Sequence, residues 1–166
     1  MVYESCFFAQ RKRTMRVLGL DYGSRRIGVA LCDELGITAQ GIATIARKNR
    51  EADLRAIADL VRRCGVERVV VGYPLRIDGS EGIQCEKINR FVRRLEARLS
   101  LPVIRWDETF STKEAEELLR ERGVRREKRR EVVDRVAACL ILQGYLDAKG
   151  RGKTSGNGTD NTYEDR

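Results

Sequence analysis

The segment from Arg16 to Leu31 constrains the fold of this chain more than any other. Its two short apolar runs, 17–20 and 27–31, are separated by a polar turn that contains glycine. This pattern predicts a β-hairpin whose two strands are both largely buried. Asp21 lies where the first strand ends, so the hairpin can present a carboxylate to a metal ion at the edge of a sheet. Aspartate also commonly begins a turn, and this segment supports both interpretations.

The pattern that follows the hairpin predicts another strand, a helix and a buried strand. Residues 36–45 predict a third strand, with one set of residues on alternate positions: Ile37, Ala39, Gly41, Ala43 and Ile45. Asn49 is placed to cap a helix that ends at Cys64 and Gly65, and residues 67–72 then form a short β-branched run. Because a helix leads into a buried strand, we expect a parallel crossover.

The second half of the chain repeats the alternation of helix and strand. A loop over 73–82 leads into a helix with one apolar stripe: Ile88, Phe91, Val92, Leu95 and Leu99. A strand over 102–106 ends on two acids, and a capping box at 111–114 opens a short helix that stops at Gly123. The last helix is predicted to begin near Glu131, with these residues on one face: Val133, Val136, Ala137, Leu140 and Ile141. The order predicts an α/β fold, a mixed sheet with an antiparallel hairpin edge and helices on both faces.

The chain is long enough for one domain with a core of its own. We expect that domain to span residues 15–148. Residues 1–14 have no periodicity and end in a basic cluster, which predicts a disordered or untranslated extension and makes Met15 a candidate start. Residues 149–166 are rich in Gly, Ser, Thr and Asn and predict a disordered tail.

Composition narrows the chemistry that the chain can perform. The 166 residues contain no histidine. This excludes catalytic triads and general bases that use histidine, and it excludes zinc sites that combine histidine with other ligands. The five cysteines are scattered without a C-x-x-C spacing, as expected for apolar residues in a reducing cytosol. A formal charge of +8 favours a polyanionic partner such as nucleic acid, and no apolar run is long enough for a membrane span.

Acidic residues occur where the predicted elements meet one edge of the sheet. Asp21 ends one strand, Asp107 and Glu108 end another, and Asp134 lies in the first turn of the last helix. Clustered carboxylates repel one another unless a cation compensates, and Mg²⁺ prefers oxygen ligands. These acids therefore predict a metal site for phosphodiester hydrolysis, in which only one residue of the 107–108 pair is a direct ligand, with a preference for Glu108. The alternative is that each acid is an ordinary helix cap or surface charge.

Basic residues near these acids are candidate phosphate contacts. They lie in the hairpin turn and before the last helix: Arg25, Arg26, Lys128, Arg129 and Arg130. For any one of them, an ordinary solvated charge is the simpler interpretation.

Four motifs in order resemble the YqgF/RuvX family. They are the hairpin segment 18–30, the segment 71–82 with Val-Gly-Tyr-Pro-Leu and Asp-Gly-Ser-Glu-Gly, the segment 106–115 with Trp-Asp-Glu-Thr-Phe-Ser-Thr, and the segment 133–143. The resemblance implies a ribonuclease H-like fold, a cytoplasmic location, and a nuclease that matures the end of pre-16S ribosomal RNA. It also implies that the acids Asp21, Asp107 or Glu108, and Asp134 bind Mg²⁺ or Mn²⁺. The chain departs from the family at Thr109, where many members carry Arg, and at Tyr73, where Leu is usual.

The expected partner is precursor rRNA, with the small ribosomal subunit as a further candidate and a monomer or weak dimer as the state. A Holliday junction resolvase-like deoxyribonuclease with the same acids is the first alternative. A nucleic-acid-binding or transcription factor with vestigial acids is the second. An actin-like or sugar-kinase ATPase is disfavoured, because such enzymes close two domains of this sheet type around the nucleotide and this chain supplies one.

Overall fold

The computed structural model describes residues 15–76, 78–107 and 126–152, and within the last helix it describes the side chains of residues 132–150. The predicted extension (1–14), the short helix from the capping box to Gly123, and residues 153–166 lie outside the described residues. The described elements are, in order, β1 (Val17–Tyr22), β2 (Arg26–Cys32), β3 (Ala39–Ala46), α1 (Arg50–Cys64), β4 (Arg68–Tyr73), α2 (Ile83–Leu99), β5 (Val103–Asp107) and α3 (Arg126–Gly152).

The five described strands form one mixed sheet in the order β3-β2-β1-β4-β5. β1 and β3 are both antiparallel to β2, which lies between them, while β4 is parallel to β1 and β5 is parallel to β4. The predicted hairpin is confirmed, with Asp21 opposite Gly28. The predicted parallel crossover is confirmed as well, because β4 follows α1 and pairs parallel to β1.

Helices pack on both faces of the sheet, as predicted. One core contains the apolar residues of α1 and α2 with alternate residues of the strands, including Leu18 and Leu20 of β1. The other core contains the residues of α3 with Val17 of β1, Ala30 of β2 and Val70 of β4. The two strand sets alternate because successive side chains point to opposite faces. We call these the α1/α2 face and the α3 face.

The boundaries of α1 and the stripe of α2 were predicted correctly from local signals. The side chain of Asn49 accepts a hydrogen bond from the amide of Ala52 at 2.9 Å, and Gly65 closes the helix in the left-handed conformation at φ 61°. The stripe of α2 is buried from Ile88 to Leu95, with Leu99 packed at its end.

The prediction for β3 was wrong in two respects. The strand begins at Ala39, and Ile37 before it is exposed. A β-bulge opposite the Val29–Ala30 step inserts Ile42 into the strand. Residues before the bulge pack toward α3, whereas Ala43 and Ile45 after it pack on the α1/α2 face, so the alternate positions do not share one face.

The last helix also differs from its prediction. It begins at Arg126, five residues before the predicted start, and it extends to Gly152. Its buried residues include Ala137 and Ile141, as predicted, together with others that the predicted face omitted: Ala138, Leu142, Tyr145 and Leu146. Val133, Val136 and Leu140 are only half-buried. Aromatic Tyr145 fits the core because its hydroxyl accepts a hydrogen bond from Arg68 at 2.7 Å.

The four described cysteines are free thiols, and two of them, Cys32 and Cys85, are buried. No helix in the described ranges combines the length and apolar character needed to cross a membrane.

Candidate active site

Asp21 lies on the α3 face, at the end of the central strand. Val17 packs in the α3 core, and a Cβ atom built on Gly19 would lie 2.7 Å from the Cβ atom of Leu142 in α3. Since alternate residues of a strand share a face, Asp21 continues this row. Tyr22 points the other way and stacks on Phe91 of α2, with ring centroids 4.1 Å apart. The strand thus directs the carboxylate toward α3.

A glycine on the neighbouring strand lets α3 approach Asp21. Gly28 lies directly opposite Asp21, and a Cβ atom there would overlap the backbone carbonyl of Asp134. Only a residue without a side chain leaves room for this contact. Asp134 is therefore held beside the strand end that carries Asp21, which brings together two of the predicted acids from segments more than 100 residues apart.

The two acids differ in their surroundings. Burial, as the larger cause, and the neighbouring Asp134 carboxylate together raise the pKa of Asp21 from 3.8 to about 6. Asp134 has a compensating cation, because Nε of Arg26 donates a hydrogen bond to its Oδ2 atom at 2.6 Å. The side chain of Asp134 is 19% exposed and that of Arg26 is 33% exposed. The site thus contains a half-buried carboxylate, Asp21, whose ionisation is unfavourable, beside a second carboxylate, Asp134, that is paired with an arginine.

Asp107 lies on the opposite face of the sheet. Its register partner on β4 is Tyr73, whose ring is buried in the α1/α2 core. Two residues earlier, Arg105 donates a hydrogen bond to Asn89 of α2 at 2.7 Å. Strand alternation therefore assigns Asp107 to the α1/α2 face, away from Asp21. Glu108 lies outside the described residues.

The predicted basic contacts have different positions. Arg25 is exposed in the hairpin turn, whereas Arg26 is bound to Asp134. The other three, Lys128, Arg129 and Arg130, lie in the first turns of α3.

Within the described ranges, no group of three acids or cysteines is close enough to hold a metal ion. Asp21 and Asp134 nevertheless fit the chemistry of a hard divalent cation, because both offer carboxylate oxygens and the ionised form of Asp21 lacks a compensating charge. They would supply two of its ligands.

Sequence reasoning missed one feature near this edge. The residues next to Asp21 line a groove with basic side chains from the end of β3 and from both helices: Arg47, Arg50, Lys87, Arg90 and Arg94. The available signal was the spacing of Lys87, Arg90 and Arg94, which places three cations on one side of α2. Nothing in the sequence indicated that α1 lies beside these three cations of α2.

The order and direction of the strands define a ribonuclease H-like fold, and solved structures share it. RuvC of Thermus thermophilus, in complex with a Holliday junction substrate, matches with a TM-score of 0.52 at 17% identity, over 82% of this chain and 96% of RuvC. A second structure of that RuvC matches with a TM-score of 0.50 at 15% identity, over 82% of this chain and 97% of the other.

The chain belongs to the RuvX family, whose model, described as a Holliday junction resolvase, matches residues 15–148. A relative from Syntrophus aciditrophicus is 63% identical over 88% of this chain and 97% of its own length, and it carries the name "Putative pre-16S rRNA nuclease". A relative from Moorella thermoacetica with the same name is 52% identical over 82% of this chain and 98% of its own length. The resemblance found in the sequence motifs is thereby confirmed.

Proposed function

We propose that this protein is a metal-dependent endonuclease that hydrolyses phosphodiester bonds of structured RNA, in the maturation of the pre-16S rRNA end in the cytoplasm. The observation that carries the proposal is the pair of carboxylates, Asp21 and Asp134, at the strand end of a ribonuclease H-like sheet. The names of the two relatives support the choice of RNA, and the charge of +8 supports a polyanionic substrate. The RNA within a precursor of the small ribosomal subunit is the natural partner for this activity, and a monomer suffices for it.

The proposed cofactor is Mg²⁺ or Mn²⁺, held by Asp21, Asp134 and Glu108. Such an ion, when bound, supplies charge stabilisation at the phosphate and activation of water at neutral pH. The chain's own contribution is to orient the ligands. Arg26 fixes the Asp134 carboxylate by its hydrogen bond, and the rigid strand fixes Asp21.

Glu108 is our proposed third acid because Asp107 lies on the wrong face. If Asp107 points toward α2, it cannot share an ion with a carboxylate on the α3 face. The following residue of a strand that continued in register would have the opposite orientation, which favours Glu108. The longer glutamate side chain is also suited to reach the site from a strand end.

Matched amide substitutions distinguish the roles of Glu108 and Asp107. We expect Glu108→Gln to lower the cleavage rate by about a hundredfold or more, and Asp107→Asn to lower it by less than about tenfold. Single-turnover cleavage at saturating enzyme measures the effect, with circular dichroism to verify folding. A larger loss in Asp107→Asn than in Glu108→Gln would reverse the assignment.

The test of the proposed function compares two substrates under identical conditions. A labelled precursor with the immature 16S end and a four-way DNA junction are incubated with wild type and Asp21→Asn, with Mg²⁺ or with a chelator. We expect metal-dependent cleavage of the RNA by wild type alone. Binding of the RNA without cleavage under any condition would overturn the proposal and favour a nucleic-acid-binding factor.

A junction-resolving deoxyribonuclease is the second candidate, because the matching family model is described as a Holliday junction resolvase. It uses the same acids on a different substrate. Preferential, symmetric cleavage of the four-way junction would support it, together with a dimer in solution, since two incisions need two sites.

A further inference from the structure

The groove beside Asp21 opens on the α1/α2 face and has a volume of about 270 Å³. We call it the basic groove. It is bounded by the hairpin turn, the segment from the end of β3 to the start of α1, and α2 as far as Arg94. Its lining consists of Tyr22, Gly23, Ser24, Arg47, Arg50, Gln84, Lys87, Arg90 and Arg94. Five of these nine residues are cationic and none is acidic.

One of the five cations is a structural clamp. Arg47 is paired with the buried Asp53, with Nε 3.1 Å from Oδ2. Its other donors reach the carbonyl oxygen of Gly23 at 2.9 Å and the hydroxyl of Tyr22 at 2.7 Å. Arg47 thus holds the hairpin turn against α1, and its charge is largely compensated by Asp53.

The other four cations have no ion pair with any residue of the described ranges: Arg50, Lys87, Arg90 and Arg94. Elsewhere on the same helices, acids do neutralise arginines. Glu51 pairs with Arg55 and with Arg98, and Asp59 pairs with Arg62. Four uncompensated like charges around one groove repel one another, and they are retained most readily where a polyanion neutralises them.

The aromatic ring in the groove is not free to stack on a base. Tyr22 has Phe91 on one face and the guanidinium of Arg47 on the other, 4.3 Å from the ring centroid. Both faces of the ring are therefore occupied. The remaining lining side chains offer charge and hydrogen-bond donors, which suit phosphate oxygens and carry no base preference.

The basic groove is adjacent to the candidate active site. Tyr22, Gly23 and Ser24 follow Asp21 directly in the chain, and the side-chain amide of Gln84 donates to the backbone carbonyl of Tyr22 at 3.4 Å. From that point Lys87, Arg90 and Arg94 extend along α2. Lys87 and Arg94 are about 10 Å apart along the helix axis, so the cations of α2 form a row and not a single point of charge.

We propose that the basic groove binds the phosphodiester backbone of the substrate strand next to the bond that is cleaved, without reading its bases. This inference depends on the proposed function for the identity of the substrate. At these strand ends, the acids would lie on the α3 face and the phosphate contacts on the α1/α2 face. The hairpin turn would lie between the acids and the phosphate contacts.

The test compares a variant that lacks two charges of the groove with a variant that lacks two charges elsewhere on the same helices. The groove variant is Arg90→Gln/Arg94→Gln, and the control is Arg63→Gln/Arg93→Gln. The control residues are exposed, have no ion pair within the described ranges, and do not line the groove. Both variants are made in an Asp21→Asn background so that binding of labelled precursor RNA is measured without cleavage.

We expect the groove variant to bind about tenfold more weakly near physiological salt, with the slope of log K against log salt reduced by about 1.4. We expect the control variant to bind within about twofold of its parent, and scrambling the RNA bases at constant secondary structure to leave the groove contribution unchanged. Equal losses in both variants would mean that only overall charge matters, and no loss in the groove variant would mean an ordinary solvated surface. Either result overturns the proposal.

The failure of this proposal is distinguishable from failure of the proposed function. Binding is measured with a protein that carries the Asp21→Asn substitution, so it does not depend on catalysis. Cleavage by wild type with no difference between groove and control variants would contradict the groove alone. Groove-dependent binding with no cleavage by wild type would contradict the nuclease assignment alone.

Discussion

Replacement of Asp21 by asparagine is expected to abolish cleavage and to make the protein more stable. A metal ligand contributes several kcal/mol to the transition state, so the cleavage rate should fall by at least about a hundredfold. The stabilisation arises because Asp21 is ionised at neutral pH in a position where burial and Asp134 both oppose its charge. The neutral amide has nearly the same shape and removes that unfavourable charge.

The pH dependence of this stabilisation has a definite sign. The pKa of Asp21 is about 6 in the folded protein and 3.8 in its ordinary state. Well below pH 3.8 the carboxyl is protonated in both states, so it has no effect on stability. Between pH 4 and 6 the unfolded state loses its proton first, which destabilises the fold, and above pH 6 the effect is constant. The Asn variant should therefore gain about 1–3 kcal/mol over wild type at pH 8 and less than about 0.5 kcal/mol at pH 3.5.

Urea denaturation at both pH values measures this difference, alongside single-turnover cleavage at pH 8. Asp59→Asn is the matched control, because Asp59 is a surface acid of α1 that pairs with Arg62. It should leave cleavage unchanged and alter stability by less than about 1 kcal/mol. Addition of Mg²⁺ should raise the melting temperature of wild type and leave that of Asp21→Asn nearly unchanged. An Asn variant less stable than wild type at pH 8 would contradict the electrostatic description of the site.

Replacement of Gly28 by alanine should strongly destabilise the fold although it leaves the charge unchanged. The added methyl group would overlap the backbone carbonyl of Asp134, and neither β2 nor α3 has a flexible side chain at this contact that could move away. We expect a loss of about 3 kcal/mol or more in the free energy of unfolding. Because α3 must move outward, Asp134 leaves Asp21, and a displacement of about 1 Å is enough to lower activity by about a hundredfold.

Gly150→Ala is the control for this prediction. Gly150 lies in α3, is exposed, and has no atom within 4 Å of the position of an added Cβ. Alanine should stabilise the helix there by about 0.5–1 kcal/mol. Chemical denaturation of both variants gives the comparison, and the pKa of Asp21 in a folded fraction of Gly28→Ala should shift back toward its ordinary value. A Gly28→Ala protein with wild-type stability would show that α3 does not depend on this contact.

Local patterns predicted the elements that depend on neighbouring residues. The hairpin around Asp21, the cap at Asn49 and the left-handed end at Gly65 follow from backbone and side-chain preferences within a few residues. The apolar stripe of α2 follows from the helical period. These features are encoded where they occur, so the sequence was sufficient to predict them.

Patterns failed where an interaction with a distant segment decided the outcome. The alternation in β3 predicted one apolar face, but pairing with β2 inserts a bulge at Ile42 and divides the set between two faces. The start of α3 was set too late because its first turn is basic and has no apolar period of its own.

Residue content and motif order indicate which chemistry is available: carboxylates without histidine, an excess of positive charge, and the motifs of the RuvX family in their order. The arrangement of these groups in space depends on contacts between distant segments. Gly28 matters because a helix more than 100 residues away lies on it, Asp107 is separated from Asp21 by the sheet itself, and the basic groove exists because α1 and α2 meet beside the hairpin turn. The physical reason is that proximity between distant segments is fixed by packing of the whole core, and no local preference of the chain records it.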